Sequence, residues 1–279
     1  MSIAWVAPFA GTAIFAVMLS LGLLLGREHL AAATQRRTVL AAILFSVVVP
    51  VPALAVLAVK LFGLKGPVAA GIVLMAISPG APVALRRAID AGGHPEFAPA
   101  LHVAIVLAAV VTVPVSVTIM DAIFSVHAVL SPLDVARQVF VAQLLPLGIG
   151  AGLRRWRPSA AAWLAPRLAR VSNLLLLALG VLCLIVLGPA IMRIGWVPTI
   201  VGVSVTVCAL LIGAAFGGRD PSVRSSAAIG AAMRNPGLAL LIATVNRAQP
   251  AVTAAVFGYA LGLAAVVIAF VAWRGRRRA

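Results

Sequence analysis

Residues 227–246 read AAIGAAMRNPGLALLIATVN, apolar enough for a membrane helix except at the centre, where Arg234, Asn235, Pro236 and Gly237 stand together. Proline removes a backbone donor, clashes with the preceding turn and drives the residue before it out of the α region. Glycine adds backbone freedom beside it. A helix through this segment therefore breaks, with a guanidinium at the break. Within hydrocarbon, irregular backbone is tolerated only where protein buries it or where it lines a wet cavity. A second apolar run, residues 73–90, reads VLMAISPGAPVALRRAID and holds its own pair, Pro79 and Gly80. Two such interrupted spans in corresponding halves of a membrane chain point to a transporter's binding site.

The rest of the chain suits a membrane reading. Its 279 residues are 63% hydrophobic with a mean hydropathy of +1.15, more apolar than a soluble domain needs. Spans of about 20 residues are predicted at 3–25, 38–59, 67–91 (broken), 97–124, 135–153, 171–192, 197–216, 222–246 (broken) and 251–273. The first is read as a retained span, being too long for the core of a signal peptide. The fourth is long enough to tilt, or to end in an interfacial piece around residues 125–131. With the N-terminus outside, sixteen of the 22 basic residues fall on the inner side and five outside, leaving Arg234 within a span. This asymmetry predicts a plasma (inner) membrane protein, N-terminus out and C-terminus cytoplasmic. It also accounts for a formal charge of +16 without nucleic acid as a partner. Trp5, Trp156, Trp163, Trp196 and Trp273 all lie near predicted boundaries, as an aromatic belt does. Residues 154–170, RRWRPSAAAWLAPRLAR, read as a long basic loop lying partly in the inner interface.

The broken spans are the third and eighth, so they run in opposite directions, as an inverted repeat requires. Each break frees N–H groups at one half-helix end and carbonyls at the other. Crossing them concentrates these groups near the midplane. Ser78, Pro79, Gly80, Arg234, Asn235, Pro236 and Gly237 are thus the candidate substrate-binding residues. Arg86 and Arg87 follow the first break near the cytoplasmic end; they suit either a surface ion pair with Asp90 or attraction of anions. Cys183 and Cys208 read as packing residues, and the four histidines have no metal-ligand spacing. No catalytic residue and no metal site is predicted. His-Glu-x-x-His and Gly-x-Ser-x-Gly are both absent.

The run Met233-Arg234-Asn235-Pro236-Gly237-Leu238-Ala239, with Ser78-Pro79-Gly80 and with Leu145-Pro146 followed by Gly148 and Gly150, resembles the bile acid:sodium symporter superfamily. The resemblance implies an all-α integral membrane fold with a panel and a core bundle and two crossed broken helices. It further implies nine transmembrane helices in place of ten, with repeats at about 1–130 and 135–279 of one transporter domain. Alternating access of a small organic, anionic solute would be the activity.

Sodium-coupled members of that family carry a glutamate and a glutamine ahead of the motif's Asn, which fall near Gly230 and on Arg234. Their Ser-Asn pair falls at about Ala84 and Leu85. Hard cations need oxygen ligands, and Glu28, Asp90, Glu96, Asp121, Asp134 and Asp220 all sit at span ends or in loops. No cofactor is expected, and sodium is disfavoured. Arg234 then reads either as a tethered cation on the carbonyls ending the first half-helix or as an anion clamp beside Gly237. The alternatives are a sodium- or proton-coupled symporter or exchanger with relocated ion sites, and a non-transporting member acting as a sensor.

Overall fold

The structure, a computed structural model, describes residues 6–124 and 131–276. Secondary structure among these is helical: α1 Val6–Leu24, α2 Arg27–Gln35, α3 Arg37–Val48, α4 Pro50–Leu61, α5 Gly66–Ala76, α6 Ala84–Asp90 and α7 Phe97–Phe124, followed by α8 Pro132–Val139, α9 Leu145–Trp156, α10 Pro158–Ile194, α11 Val197–Phe216, α12 Pro221–Ala232, α13 Pro236–Val245 and α14 Pro250–Arg276. Among the described residues six stretches are long and apolar enough to cross a membrane: Arg37–Leu61, Phe97–Met120, Pro132–Trp156, Pro158–Ile194, Val197–Phe216 and Pro250–Arg276. α1 passes the same test only together with α2, from which it is bent by 85°. The half-helices on either side of the two breaks are each too short to span alone.

Proline sets several of these boundaries. Pro50, Pro132, Pro158, Pro221, Pro236 and Pro250 each open a helix, where a missing N–H costs nothing. Pro146 lies inside the fifth predicted span instead. There the chain widens into a π-helical turn, Phe140–Leu144, immediately before α9. Widening relieves the clash between the proline ring and the carbonyl four residues back.

One expectation about the loops requires correction, and two further joints have features of their own. The basic segment 154–170 is helix apart from the single joint at Arg157, because α10 starts at Pro158 and runs unbroken into the sixth span. Its Ala, Leu and Arg content favours helix, and Arg167 stacks on Trp163 one turn back, 3.9 Å from the ring centroid. The link between the first two spans is also helical, as α2. Gly26 makes the bend, and its N–H donates to His29 Nδ1 at 2.9 Å. The first break is wider than a Pro-Gly kink, with residues 77–83 outside both half-helices. The interfacial piece expected at 125–131 lies outside the described residues except for Ser131.

α1 packs against α9 and α10, while α11 packs against α12 and α14 and α14 against α5. α13 touches α1, and α10 touches α14, so these pairs join the two groups. Small residues set the closest approaches. A Cβ on Gly22 would meet Leu147 O and one on Gly150 would meet Leu19 O, which locks α1 on α9; Gly202 and Gly262 do the same for α11 and α14. Polar contacts tie one set of helix ends together. Arg36 pairs with Asp220 at 3.3 Å, His94 N–H donates to Ser222 O, and Arg274 Nη2 donates to Ser225 Oγ at 2.6 Å. Arg154 Nη1 reaches Leu23 O on that same face. These contacts join segments that the charge count had grouped on one side of the membrane. Trp156, Trp163, Trp196 and Trp273 are exposed at helix ends or within a turn or two of them; Trp5 lies outside the described residues.

Candidate transport site

The two breaks meet. Pro79 and Arg234 form an isolated antiparallel bridge, and Asn235 N–H donates to Ser78 O at 2.7 Å. Met233 and Asn235 are both extended, which the following proline imposes on Asn235. Gly80 has φ +79°, open to glycine at little cost. Asn235 holds the crossing with both ends of its side chain. Its Oδ1 caps α13 by accepting Leu238 N–H at 3.0 Å, and its Nδ2 donates to Gly80 O at 3.2 Å. It is buried, as are Ser78, Pro79 and Gly80.

Arg234 is 0% exposed. Nη2 donates to Ala231 O at 2.6 Å, in the last turn of α12, and Nη1 donates to Val47 O at 3.2 Å, in the last turn of α3. Nε has no partner. Ala231 O is in surplus because α12 ends here and the Asn235 N–H, its usual donor, goes to Ser78 O; Val47 O lies between Ser46 and Val48, whose usual donors Pro50 and Pro52 cannot supply. Among the described residues no carboxylate pairs with it. Its hydrogen bonds thus go to one carbonyl of the α12 half-helix, Ala231 O, and to one of α3, Val47 O.

A cavity of about 640 Å³ lies beside the crossing, between α10 and α14. Arg234, Asn235, Pro236 and Gly237 border it, the fully buried Arg234 through atoms that water does not reach. Pro236 has no N–H and Leu238 gives its own to Asn235, so the Gly237 N–H is the donor left at the α13 terminus. Arg86, Arg87 and Asn173 supply the polar end, toward the arginine-rich face; Leu177, Leu240, Phe257 and Leu263 supply apolar wall. Among the described residues no acidic side chain lines it. Arg87 also pairs with Asp90 at 3.5 Å, as the helical spacing suggested. Ser78 and Pro79 hold the crossing from behind without lining this cavity, and Gly80 lines a different, much smaller one. Thr112 and Ser116 line an outward groove on α7, and Thr118 bonds its own helix at Pro114 O.

On the opposite face a broad depression of about 800 Å³ is lined by Gly11, Arg137, Gln138 and Leu241 among others. Leu240 faces the first cavity and its neighbour Leu241 the second, so α13 is part of the wall between them. A Cβ on Gly237 would stand 3.1 Å from Ile14 Cδ1, so glycine lets α13 close on α1.

Sequence reasoning missed two groups. Gln143 is buried at the π-helical turn with both amide atoms unpaired, and its Oε1 is 3.4 Å from where a Cβ on Gly80 would be. Pro146 was the available signal. His102 is buried with Nε2 unpaired, lining the roughly 10 Å³ cavity with Gly80, Ala84, Leu85, Ser226 and Gly230. Nothing in the sequence marked it beyond a histidine in an apolar run.

The profile of the family described as Sodium Bile acid symporter family matches residues 12–215. The match includes the first break and ends before the second. No curated protein matches the chain. Coverage of most of the chain, joined to an all-helical membrane architecture, places this protein in the sodium bile acid symporter family, a family of transporters.

Proposed function

We propose that this chain is a secondary transporter that moves a small organic anion by alternating access, with Arg234 as a fixed internal cation in place of a bound sodium ion. The observation that carries the proposal is the cavity at the crossing, where Arg86, Arg87, Asn173 and the N-terminus of α13 supply donors; Arg87 is shared with Asp90, and no carboxylate lines the cavity itself among the described residues. Anions are favoured at a helix N-terminus and beside guanidinium groups. The long apolar walls call for an organic body behind the charged group.

In this reading the crossings number nine, with each broken pair and the α1 span counted once, repeats at about 1–130 and 135–279, and the arginine-rich face in the cytoplasm. α1, α8–α9 and α10 form the panel and the other helices the core. The cavity extends from the crossing toward the arginine-rich ends, so this conformation faces inward, with α13 on α1 as the outer closure. Moving the core against the panel would open the Leu241 side and close the Leu240 side.

Sodium is assigned no step. Ala84, Leu85 and Gly230 surround the small cavity beside His102 without a side-chain oxygen among the three, and a hard cation needs several. Arg234 brings its own charge to the Ala231 and Val47 carbonyls. A permanent cation there relieves the surplus of carbonyl oxygen without an ion to load or release.

The test is ligand-induced thermal stabilisation of purified protein in choline buffer, screening organic carboxylates and sulfonates against their neutral amides. Acids are expected to stabilise and amides not, with the effect lost in the Arg86→Gln/Arg87→Gln double variant. Equal stabilisation by acids and amides would overturn the anion assignment.

A further inference from the structure

We infer that the bend between α1 and α2 builds a binding site for one anionic phospholipid, its phosphate held by Arg27 and Arg155 and its acyl chain laid along α7. The inference rests on membrane residence, which family membership carries, and is independent of what is transported.

A groove of about 680 Å³ lies beneath α2, between α7 and the junction of α9 and α10. Its polar wall holds Arg27, Glu28, His29, Arg154 and Arg155. Glu28 is the one acid there among the described residues and is already engaged by Arg154, whose Nη2 lies 3.7 Å from it; His29 Nδ1 accepts the Gly26 N–H and offers it no proton. Arg154 is further committed to Leu23 O at 3.2 Å. Arg27 and Arg155 are exposed and have no ionic partner among the described residues. The groove thus presents two uncompensated guanidinium groups, whose planar fork suits a phosphate diester. Trp156, exposed beside Arg155, puts the groove at headgroup depth.

The other wall is apolar, and it continues. Leu107 lies at the foot of the groove, and from it Leu107, Val111, Val115 and Ile119 follow at a spacing of four residues, 52%, 66%, 52% and 54% exposed. Those from Val111 onward line a second groove of about 590 Å³ between α7 and the α3–α4 pair. Twelve residues of helix rise about 18 Å, close to one leaflet of a hydrocarbon core about 30 Å thick. A basic pocket at headgroup level opening onto an apolar furrow one leaflet deep matches a diacyl phospholipid. A soluble phosphate would use the pocket and leave the furrow empty. Because α2 bridges α1 and α7, a lipid wedged beneath it would couple the two helix groups through the bilayer.

The experiment is native mass spectrometry of the full chain released from detergent. Phosphatidylglycerol is titrated against phosphatidylcholine of identical chains, with inorganic phosphate in a separate arm. Phosphatidylglycerol is expected to remain bound at about tenfold lower concentration than phosphatidylcholine, and Arg27→Gln/Arg155→Gln is expected to abolish that preference. Arg167→Gln/Arg170→Gln, the same charge change on α10 outside the groove, should leave it intact. If the first pair fails to fold, Leu107→Glu, which puts a negative charge at the head of the furrow, is expected to reduce retention of phosphatidylglycerol as well. Equal retention of the two lipids by wild type, survival of the preference in the groove variants, or its equal loss in the α10 variants would each overturn the site. Inorganic phosphate bound as tightly as phosphatidylglycerol would replace the lipid with a soluble anion.

Discussion

Asn235 is the residue on which the crossing of the two breaks most depends, and its contribution separates into two parts. Oδ1 caps α13 through Leu238 N–H, and Nδ2 satisfies Gly80 O on the other broken segment. Loss of an N-cap costs about 0.5–2 kcal/mol. Leaving a buried carbonyl unpaired costs about 1–3 kcal/mol. Asn235→Ala removes both and should cost about 1.5–5 kcal/mol, the sum of those two ranges. Hydrogen bonds between membrane helices average only about 0.6 kcal/mol, because the separated helices find other partners. Asn235 should exceed that average because its partners are backbone groups at helix breaks, which have no second donor or acceptor at hand. Asn235→Ser can still cap α13 but is too short for Gly80, so it should lose only the second part. Reversible unfolding in mixed micelles, with Tm alongside, gives both values. Alanine should be worse than serine, and serine worse than wild type. If alanine and serine are indistinguishable, or both lie within about 0.5 kcal/mol of wild type, a figure below either part, Asn235 does not pin the crossing.

Gly80→Ala should destabilise by about 1–3 kcal/mol, because φ is +79° and the new methyl would stand 3.1 Å from Val106 Cγ2; an unchanged Tm would contradict this. Gly237→Val would push against Ile14, 3.1 Å from the position of its Cβ, and should loosen α13 from α1, measured as faster labelling of a cysteine at Leu241. Unchanged labelling would remove α13 as the outer closure. The Ser222 hydroxyl, at 2.6 Å, holds the Asp220 carboxyl below its usual range, with the Ser222 and Val223 N–H groups and Arg36 adding to it. A depressed folded-state value stabilises the protein above the unfolded pKa of about 3.9 and is lost as pH falls through the folded one. Tm should therefore fall more steeply below about pH 4 in wild type than in Asp220→Asn, and equal slopes would refute the linkage.

Much of the fold is legible in the sequence because membrane chains obey two strong rules. Apolar length marks a span, and arginine marks one side, so the ends joined by Arg36 with Asp220 and by Arg274 with Ser225 are ends that loop charge had already grouped. Pro79-Gly80 and Pro236-Gly237 announce the breaks because proline and glycine act on their own backbone, whatever the tertiary setting. What the sequence hid depends on direction and context. Nothing in the residue pattern says that Arg234 reaches the Val47 carbonyl, since that contact joins positions 187 residues apart. Nor does composition separate a basic loop from a basic helix, which is why residues 154–170 read as loop; arginine serves both, and only packing decides. Gln143 and His102 were passed over for a similar reason. Single polar residues in apolar runs usually satisfy themselves locally, and only the structure leaves these two unpaired.

The central claim is that Arg234 fills the place of a coupling cation, and uptake into proteoliposomes tests it directly. An organic acid that stabilises the purified protein would be followed at matched ionic strength, with sodium or choline as the external cation. Equal initial rates in the two are predicted, with Arg234→Gln strongly impaired in both. Uptake that requires sodium in wild type would contradict the account and return the protein to ordinary sodium coupling through sites not identified around the crossing.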